Sequence, residues 1–399
     1  MAQVLNIKIR NAVLLEMAGL INSNKAQILA SNKTDLEAYQ GGDLAMYDRL
    51  KLDEAKIEGM VSSLKQLAGQ DDPLGVERFR FTHPNGMEIS NRTSAFGTIL
   101  IIYESRPDVT IEAAGIAFKS GNHILLKGGK ESVKSNKLLT GLWHQALQSN
   151  SVTPDWIKYL EFNREETRAF LQNPSQKVDL IVPRGGEKLI AFVKEHASCP
   201  VIVSGRGNNF LYVDREADLT MAQDLIINAK TTKISACNAL DKVLIDRGLP
   251  EKKVFIAQLI KKLKEHQVSI LADTYLSHYE GCTEISDETV WQEEFLDYRI
   301  VLGEVEGLDE AIATINRYSG GHSAAIVSAN SRKADKFMEE IDSAAVYHNA
   351  STRFTDGGQF GLGGELAIST DKLHQRGPLG LQHLITNKWY VHGTGQARI

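Results

Sequence analysis

Cys237 lies in a polar stretch that suits a reactive thiol. The surrounding segment reads "KTTKISACNALDKVL" and contains Lys230, Lys233, Ser235 and Asn238. The thiolate is the nucleophilic form of cysteine; cationic neighbours or a helix N-terminus favour it, and apolar packing disfavours it. The segment therefore predicts a cysteine nucleophile. Taken alone, the segment is also compatible with an unreactive cysteine in a turn, which is the commoner case.

The other two cysteines suggest no reactive or metal-binding role. Cys199 adjoins Pro200 and an apolar run, which is typical of a small buried residue, and Cys282 follows Gly281 in a polar loop. Three cysteines without paired or metal-like spacing predict neither a disulfide framework nor a zinc site. A reducing, cytoplasmic location is expected, with no bound metal.

Two paired-glycine turns are candidates for phosphate binding. Lys127, Gly128 and Gly129 follow one strand-like run, and Arg184, Gly185 and Gly186 follow another. A turn between a strand and a helix can present backbone N–H groups and the positive helix end to phosphate. Neither turn is the Gly-x-Gly-x-x-Gly fingerprint, so ordinary tight turns remain an alternative. Their occurrence together favours a nucleotide cofactor.

The elements that carry these residues alternate between strands and helices. The apolar runs "FGTILIIYE", "HILLKGG" and "VDLIVPRGG" are each followed by a helical pattern. Buried strands alternating with helices predict an α/β fold with largely parallel sheets. A second such region begins near Asn228, with "KVLIDRG" as a strand and "PEKKVFIAQLIKKLKEH" as a helix. At 399 residues, the chain is long enough for two or more domains.

Two β-segments fall outside this alternation. The stretch "VERFRFTHPNGMEISNRTSAF" contains Asn85-Gly86, a strong hairpin signal, and "KWYVHGTGQ" near the end reads as an exposed strand. They are interpreted as strands that pair across a subunit interface, with a simple edge-strand role as the alternative.

Charge and hydropathy exclude several classes of partner. The net charge is −5 and the basic residues are dispersed, so no nucleic-acid footprint is present. No apolar run approaches the roughly 18 residues that would span a bilayer, and the N-terminus lacks a secretory signal pattern. Small metabolites are the expected ligands.

Longer motifs make the interpretation specific. "NAKTTKISACNALDKVLID" resembles the nucleophile segment of the gamma-glutamyl phosphate reductase family, within the aldehyde dehydrogenase superfamily. Further matches follow in family order, including "GTILIIYESRPDVTIEAAGIAFKSGNHILLKGGKES", "VDLIVPRGG", "GGHSAAIVS" and "VYHNASTRFTDGGQFGLGGELAISTDKLHQRGPLGL". The resemblance implies an aldehyde dehydrogenase-like α/β fold with a Rossmann-like cofactor domain, an α/β catalytic domain and a β oligomerisation flap.

The expected domain limits follow from these matches. Residues 1–227 are assigned to the cofactor-binding domain, with hairpin 77–95 contributing to the flap, and residues 228–350 to the catalytic domain. Residues 351–385 are expected to return to the cofactor domain and supply an active-site loop, and residues 386–399 to form the oligomerisation strand.

The resemblance implies reduction of L-glutamyl 5-phosphate by NADPH to L-glutamate 5-semialdehyde, with release of phosphate, in proline biosynthesis. Cys237 is expected to form a thioester that accepts hydride. The expected cofactor is NADP(H). The chain is expected to form a homodimer or a larger homo-oligomer. A contact with glutamate 5-kinase is a further expected interaction.

The family pattern also assigns individual residues. Cofactor contacts are expected from Lys127, Gly128, Gly129, Arg184, Gly185, Gly186 and Glu294. Substrate contacts are expected from Arg106, Asn238, Asn349, Ser351, Thr352 and Arg353, with the two arginines as anion ligands. The histidines of the family pattern, His322 and His374, are interpreted as packing or loop-ordering residues.

Two departures from hydrolytic aldehyde dehydrogenases favour a phosphate-releasing reductase. Ser105 stands where those enzymes carry an oxyanion-binding Asn, so the Cys237 N–H is the first candidate donor. Ser204-Gly205 stands where they carry the Glu that activates water. Within the reductase family, Asp241 replaces a common Glu and Lys233 a common Arg, and both changes keep the charge.

Two rival interpretations remain. One is a hydrolytic or CoA-acylating aldehyde dehydrogenase of the same superfamily. The other is a non-catalytic binding or redox-sensing protein in which Cys237 is merely oxidisable.

Overall fold

The structure is a computed structural model that describes residues 5–42, 44–373 and 375–398; His374 lies outside these residues. The helices of this part of the chain are α1 Ile7–Ser23, α2 Lys25–Ala38, α3 Leu44–Leu50, α4 Glu54–Gly69, α5 Val109–Lys119, α6 Val133–Ser149, α7 Arg164–Gln172, α8 Glu187–His196, α9 Leu219–Thr231, α10 Lys252–Glu265, α11 Leu308–Tyr318 and α12 Ser331–Glu340.

The strands are β1 Glu77–Thr82, β2 Glu88–Ala95, β3 Thr98–Tyr103, β4 His123–Lys127, β5 Ile157–Tyr159, β6 Leu180–Arg184, β7 Asn209–Val213, β8 Leu240–Asp246, β9 Ser269–Ala272, β10 Cys282–Glu284, β11 Arg299–Val305, β12 Ser323–Val327, β13 Ala345–His348, β14 Ala367–Ser369, β15 Gly377–Leu379 and β16 Ile385–His392. Strands β14 and β15 form a two-stranded sheet.

The chain divides into two compact units. The first unit comprises the chain up to Val203, Gly361–Ala367 and the residues from Leu379 onward, and the second comprises Ser204–Phe360 and Ile368–Pro378. The expected boundary at residue 228 therefore differs from the one in the structure. The cause is β7, which pairs with β8 and β12 and so belongs to the second sheet.

The first unit is built on a parallel sheet of four strands in the order β5-β4-β3-β6. Successive side chains of β3 point to opposite faces: Ile99 and Ile101 enter a core with α1, α4, α5 and α6, whereas Leu100 and Ile102 enter a core with α7 and α8. Burial on both faces explains why β3 reads as a continuous apolar run.

A separate antiparallel sheet of this unit has the order β1-β2-β16. The hairpin predicted around Asn85-Gly86 joins β1 to β2, with Gly86 at φ 91°, and β16 pairs with β2 from Ile385 to His392. The two β-segments that lie outside the alternation of strands and helices in the sequence therefore pair with each other within one chain.

The second unit is built on a parallel sheet of seven strands in the order β10-β9-β11-β8-β7-β12-β13. Leu211 and Val213 of β7 pack with α9 and α10, and Phe210 and Tyr212 pack with α11 and α12. The strand predicted from "KVLIDRG" is β8, and the apolar stretches "SAAIV" and "AVYH" form β12 and β13. None of the described helices is both long enough and apolar enough to cross a membrane.

Candidate active site

Cys237 lies in a tight turn between α9 and β8. Two successive turns form it, closed by hydrogen bonds from the Ala236 N–H to the Lys233 carbonyl (3.2 Å) and from the Ala239 N–H to the Ala236 carbonyl (2.9 Å). The cysteine is half-buried. The turn exposes it in part while β8, buried along its whole length, holds one end of the turn in the core.

The buried Asn209 and the backbone of Gly207 fix the main chain at Cys237. The Asn209 side-chain amide donates to the carbonyls of Cys237 (2.8 Å) and Ala239 (2.6 Å). Gly207 packs so closely that a Cβ there would lie 2.1 Å from the Cys237 carbonyl oxygen. Sequence reasoning missed both residues because the contact joins β7 to a turn 28 residues further along the chain.

The loop after β13 also packs against the nucleophile turn. The Asn238 side-chain amide donates to the carbonyls of Arg353 (3.2 Å) and Thr355 (3.0 Å), and the Thr352 hydroxyl donates to the Asn238 carbonyl (2.8 Å). The Ser351 hydroxyl donates to Asn228 on α9 (2.7 Å). Four of the expected substrate residues, Asn238, Ser351, Thr352 and Arg353, are thus brought together with α9 and the Cys237 turn.

Arg353 is the clearest candidate for an anion ligand at this site. Its guanidinium is half-buried, and two buried nitrogens, Nε and Nη1, have no hydrogen-bond partner in the described part of the chain. Burial lowers the pKa of Arg353, and electrostatic attraction to Cys237 and then Asp356 opposes that shift. An unsatisfied guanidinium close to a thiol is suited to a bound anion or to the thiolate itself.

Asn349 and Glu294 lie in different settings. Asn349, with φ 53°, holds the main chain of Ser328 through its side-chain oxygen and nitrogen (3.0 Å each), so its amide is engaged in the fold. Glu294 is half-buried, whereas its neighbour Glu293 is exposed and pairs with Arg299 at 2.9 Å. The two neighbouring carboxylates therefore differ in burial.

In the first unit, the two glycine turns lie at one edge of the sheet. Strands β4, β3 and β6 are parallel neighbours, so their carboxyl ends meet there. The Glu104 N–H donates to the Arg184 carbonyl at 3.1 Å, which ties the end of β3 to the end of β6. The edge therefore groups the expected cofactor residues Lys127, Gly128, Gly129, Arg184, Gly185 and Gly186.

Polar side chains lie close to the backbone of both turns. A Cβ at Gly128 would lie 2.2 Å from the Asn136 side-chain nitrogen, and one at Gly185 would lie 2.4 Å from a Glu104 carboxylate oxygen. That carboxylate accepts the Gly186 N–H at 2.9 Å. Glu104 thus caps the N-terminus of α8, the amide end that the sequence had suggested for pyrophosphate.

Ser105 and Arg106 follow Glu104 at the same edge. Ser105 is 2% exposed, has a left-handed backbone with φ 41°, and its hydroxyl has no partner among the described residues. Arg106 forms an ion pair with Asp108 at 2.9 Å. Ser105, which stands where hydrolytic relatives carry the oxyanion-binding Asn, thus combines a buried hydroxyl with a left-handed backbone.

Glu112 is a further titratable group near Arg106 that sequence reasoning missed. Burial raises its pKa to about 7, Asp108 and Glu365 contribute to the rise, and Arg106 and Arg184 oppose it. Among the described residues, no cluster of three or more His, Cys, Asp or Glu is arranged to hold a metal ion.

Comparison with known proteins identifies the family. The profile of the aldehyde dehydrogenase family matches residues 3–274 and 285–389. A gamma-glutamyl phosphate reductase of Clostridium botulinum is 41% identical over 392 residues, covering 98% of this chain and 94% of the relative. One of Enterococcus faecalis is 42% identical, covering 98% and 93%. The chain belongs to the aldehyde dehydrogenase family, in its gamma-glutamyl phosphate reductase branch.

A solved reductase agrees in fold. The crystal structure of gamma-glutamyl phosphate reductase from Thermotoga maritima superposes with a TM-score of 0.94 at 36% identity, covering 99% of this chain and 95% of that one. The family and the aldehyde dehydrogenase-like α/β fold expected from the sequence are confirmed. An acetylating aldehyde dehydrogenase from Geobacillus thermoglucosidasius, 15% identical with a TM-score of 0.71, shares the fold alone.

The aldehyde dehydrogenase family context gives meaning to the segment beside Cys237. "SGRGNN", which begins at Ser204 and includes Gly207, contains no carboxylate. Gly207 abuts Cys237, so this segment, which the family resemblance matches to the one that carries the water-activating Glu of hydrolytic relatives, lies beside the thiol-bearing turn. The family member described here therefore lacks a carboxylate base in that segment.

His322 orders the active-site loop from the core side. It is 1% exposed, and its Nδ1 is 2.8 Å from the Ser323 hydroxyl, which in turn is 2.7 Å from the Thr355 hydroxyl. Thr355 also accepts the Asn238 amide through its carbonyl. These contacts link His322 to packing of the loop, as its sequence context had suggested.

Proposed function

We propose that this chain reduces L-glutamyl 5-phosphate to L-glutamate 5-semialdehyde with NADPH and releases phosphate, the second step of proline biosynthesis from glutamate. The observation that carries the proposal is the packing of the Cys237 turn against the loop of Arg353, whose Nε and Nη1 have no hydrogen-bond partner among the described residues. A nucleophile and an arginine with two unsatisfied nitrogens, on adjoining segments, suit a substrate that carries both an electrophilic carbonyl and a leaving phosphate.

The residues of the second unit perform the acyl transfer. The Cys237 thiolate attacks the acyl carbon, the carbon–oxygen bond to phosphate breaks, and a thioester forms. Arg353 stabilises the negative charge of the thiolate or of the departing phosphate. The developing oxyanion requires N–H or O–H donors, and the Cys237 backbone amide is assigned to that role.

When bound, NADPH supplies the hydride that reduces the thioester to the aldehyde, and the thiol is regenerated. The segment beside Cys237 has no carboxylate to activate water, so it favours retention of the thioester until reduction. Hydrolysis would discharge the acyl group as glutamate.

The residues of the first unit fit a dinucleotide. The paired glycines of both turns carry no side chain that would keep a phosphate away from the backbone N–H groups. Lys127 and Lys130 are assigned to the adenosine ribose and its 2′-phosphate. Glu104 caps the Gly186 amide in this structure. A phosphate that used this amide would have to replace the carboxylate.

A basic groove between α7 and α8 supports NADP(H) over NAD(H). It has a volume of about 680 Å³, and its lining includes Arg164, Arg168 and Lys188 with one carboxylate, Glu195, beside Phe192. The Arg164 guanidinium lies 5.3 Å from the centre of the Phe192 ring. An aromatic surface with cations suits an adenine ring that carries an extra phosphate dianion.

The antiparallel sheet supports assembly with a second copy of the chain. Phe79 and Trp389 are 50% and 55% exposed, their ring centres lie 5.8 Å apart, and Phe81 and Val391 extend the same apolar surface. We assign this surface to a homo-oligomer interface. A cytoplasmic location and a contact with glutamate 5-kinase, which would limit exposure of the labile acyl phosphate to water, complete the proposal.

The deciding experiment follows the reaction in reverse. Glutamate semialdehyde is oxidised with NADP⁺ in the presence of phosphate, of CoA, or of neither, and NADPH formation is recorded. Phosphate-dependent turnover supports the proposal. Equal rates without phosphate would indicate a hydrolytic enzyme, dependence on CoA an acylating one, and no turnover in any arm a non-catalytic protein.

A further inference from the structure

A buried charged cluster lies directly behind the nucleophile turn in the second unit. Lys230, on the last turn of α9, donates to Asp241 of β8 at 2.9 Å, and the two side chains are 0% and 3% exposed. Lys230 and Asp241 lie on opposite sides of Cys237 in the sequence. Their ion pair therefore closes the base of the turn that carries the thiol.

The same cluster holds the segment that carries Glu294. Asp241 uses its second carboxylate oxygen to accept the Phe295 N–H at 3.0 Å. Lys242, the next residue of β8, donates its ammonium to the Glu293 carbonyl at 2.8 Å. Asp241 and Lys242, two consecutive residues of β8, therefore bind the main chain on the two sides of Glu294.

Phe295 completes the arrangement. The ring is 5% exposed, the Lys242 nitrogen lies 3.7 Å from its centre, and the Arg299 guanidinium carbon lies 4.4 Å from it. Arg299 also pairs with Glu293 through its side chain at 2.9 Å. Cation–π contacts and buried hydrogen bonds to the main chain leave the segment few alternative conformations.

We propose that Asp241 and Lys242 are positioning residues that hold the Cys237 turn and the Glu294 segment in one fixed relation. Asp241 acts on both, through Lys230 and through the Phe295 amide. Lys242 acts on the Glu294 segment alone. The inference rests on the proposed function, because it takes Glu294 to contact the nicotinamide ribose.

Lys242 can keep its hydrogen bond to the Glu293 carbonyl in either charge state. Burial lowers its pKa to about 7, while Asp241 and Glu293 oppose the shift and Lys230 and Arg299 add to it. Both the ammonium and the neutral amine can donate to the Glu293 carbonyl. The hydrogen bond, rather than a fixed charge, is therefore the feature to remove.

The test measures NADPH binding by fluorescence titration, without substrate, for Lys242→Met, Glu294→Gln and the double variant. If Lys242 acts through Glu294, each single change raises the Kd about tenfold, as loss of one buried hydrogen bond predicts, and the double variant binds no more weakly than the weaker single variant. Additive losses, or an unchanged Kd in Lys242→Met, would overturn the positioning role.

A matched control separates positioning from stability. Lys252 is also largely buried, with its ammonium bound to Glu304 and to the Arg247 carbonyl in the same unit. Lys252→Met is expected to lower the Tm while leaving the NADPH Kd unchanged. A rise in Kd equal to that of Lys242→Met would attribute the effect to general loosening of the unit.

The Cys237 side is tested by its rate of alkylation with iodoacetamide in the absence of cofactor. Asp241→Asn is expected to change this rate about tenfold because it removes the charge that closes the turn, whereas Asp241→Glu restores it and Lys242→Met leaves it unchanged. An unchanged rate in a folded Asp241→Asn variant contradicts the inference. These readouts need no turnover, so failure of the proposed reaction in the reverse assay would be distinguished from failure of this inference.

Discussion

The backbone of Gly207 lies against the backbone of Cys237, close enough that any side chain at position 207 would overlap the nucleophile turn. A Cβ there would lie 2.1 Å from the carbonyl oxygen and 2.6 Å from the Cα of Cys237. Backbone atoms cannot swing aside as a flexible side chain can. The position of the thiol is therefore set in part by a residue that has no functional group.

Gly207→Ala should lower the reactivity of the Cys237 thiol by displacing the backbone that carries it. The added methyl must displace the Cys237 turn, so we expect both the alkylation rate of Cys237 and the reductase rate to fall at least about tenfold. Gly59→Ala is the control and should change neither rate, because the added Cβ in α4 would meet nothing within 4 Å beyond its chain neighbours and its own helix backbone. Wild-type rates in Gly207→Ala would show that the turn tolerates the shift.

Arg353 should influence both the thiol and the anion. In Arg353→Met, we expect the pH midpoint of Cys237 alkylation to rise, with about tenfold slower alkylation at neutral pH for each unit of rise, and the KM for phosphate to rise in the oxidative direction. Arg353→Lys keeps the positive charge and should preserve most of the alkylation rate. If the Met and Lys variants had the same alkylation rate and the same KM for phosphate, the positive charge of Arg353 would not explain the effect.

Acid should destabilise the protein through His322. Burial lowers its pKa to about 4, whereas an unfolded histidine titrates near pH 6.5. Between these values, only the unfolded state takes up the proton, so the free energy of unfolding falls as the pH drops from about 6.5 to 4, by about 3 kcal/mol. Urea unfolding of the wild type and of His322→Gln across this pH range tests the prediction. The free energy of unfolding of the variant should depend less on pH. An identical pH dependence in the two proteins would refute the assignment to His322.

The exposed aromatic surface predicts the assembly state. Replacing Phe79 and Trp389 together by serine removes two half-exposed rings from one face of the antiparallel sheet. Sedimentation velocity should then show a smaller species than the wild type. Tyr275→Ser, which removes a ring 57% exposed in the other unit, should leave the sedimentation unchanged. A wild-type species that is already monomeric would contradict the interface.

The local elements of this fold could be predicted from sequence because their signals are local. The apolar runs of β3, β4 and β6 and the Asn85-Gly86 hairpin appear where their patterns indicated. The boundary between the two units was predicted less well than these elements, because the sequence of β7 does not indicate which sheet the strand joins. Pairing with β12, more than one hundred residues away, decides that.

The candidate site shows the same limit. Cys237, Arg353 and the glycine turns were found by residue type and family resemblance. Asn209, Gly207, Asp241 and Lys242 were not identified as site residues, because their roles depend on contacts with distant segments. Asn349 was grouped with Ser351 and Arg353 by sequence proximity, yet its amide binds the main chain of Ser328.

The most direct test of the account is a search for the acyl group on Cys237. The protein is mixed with glutamate semialdehyde and NADP⁺ without phosphate, and its intact mass and peptide masses are measured. The account predicts one glutamyl group on the peptide that contains Cys237, formation of one equivalent of NADPH, and loss of the group when phosphate is added. Absence of this adduct in the wild type, or its equal presence in Cys237→Ala, would contradict the thioester mechanism.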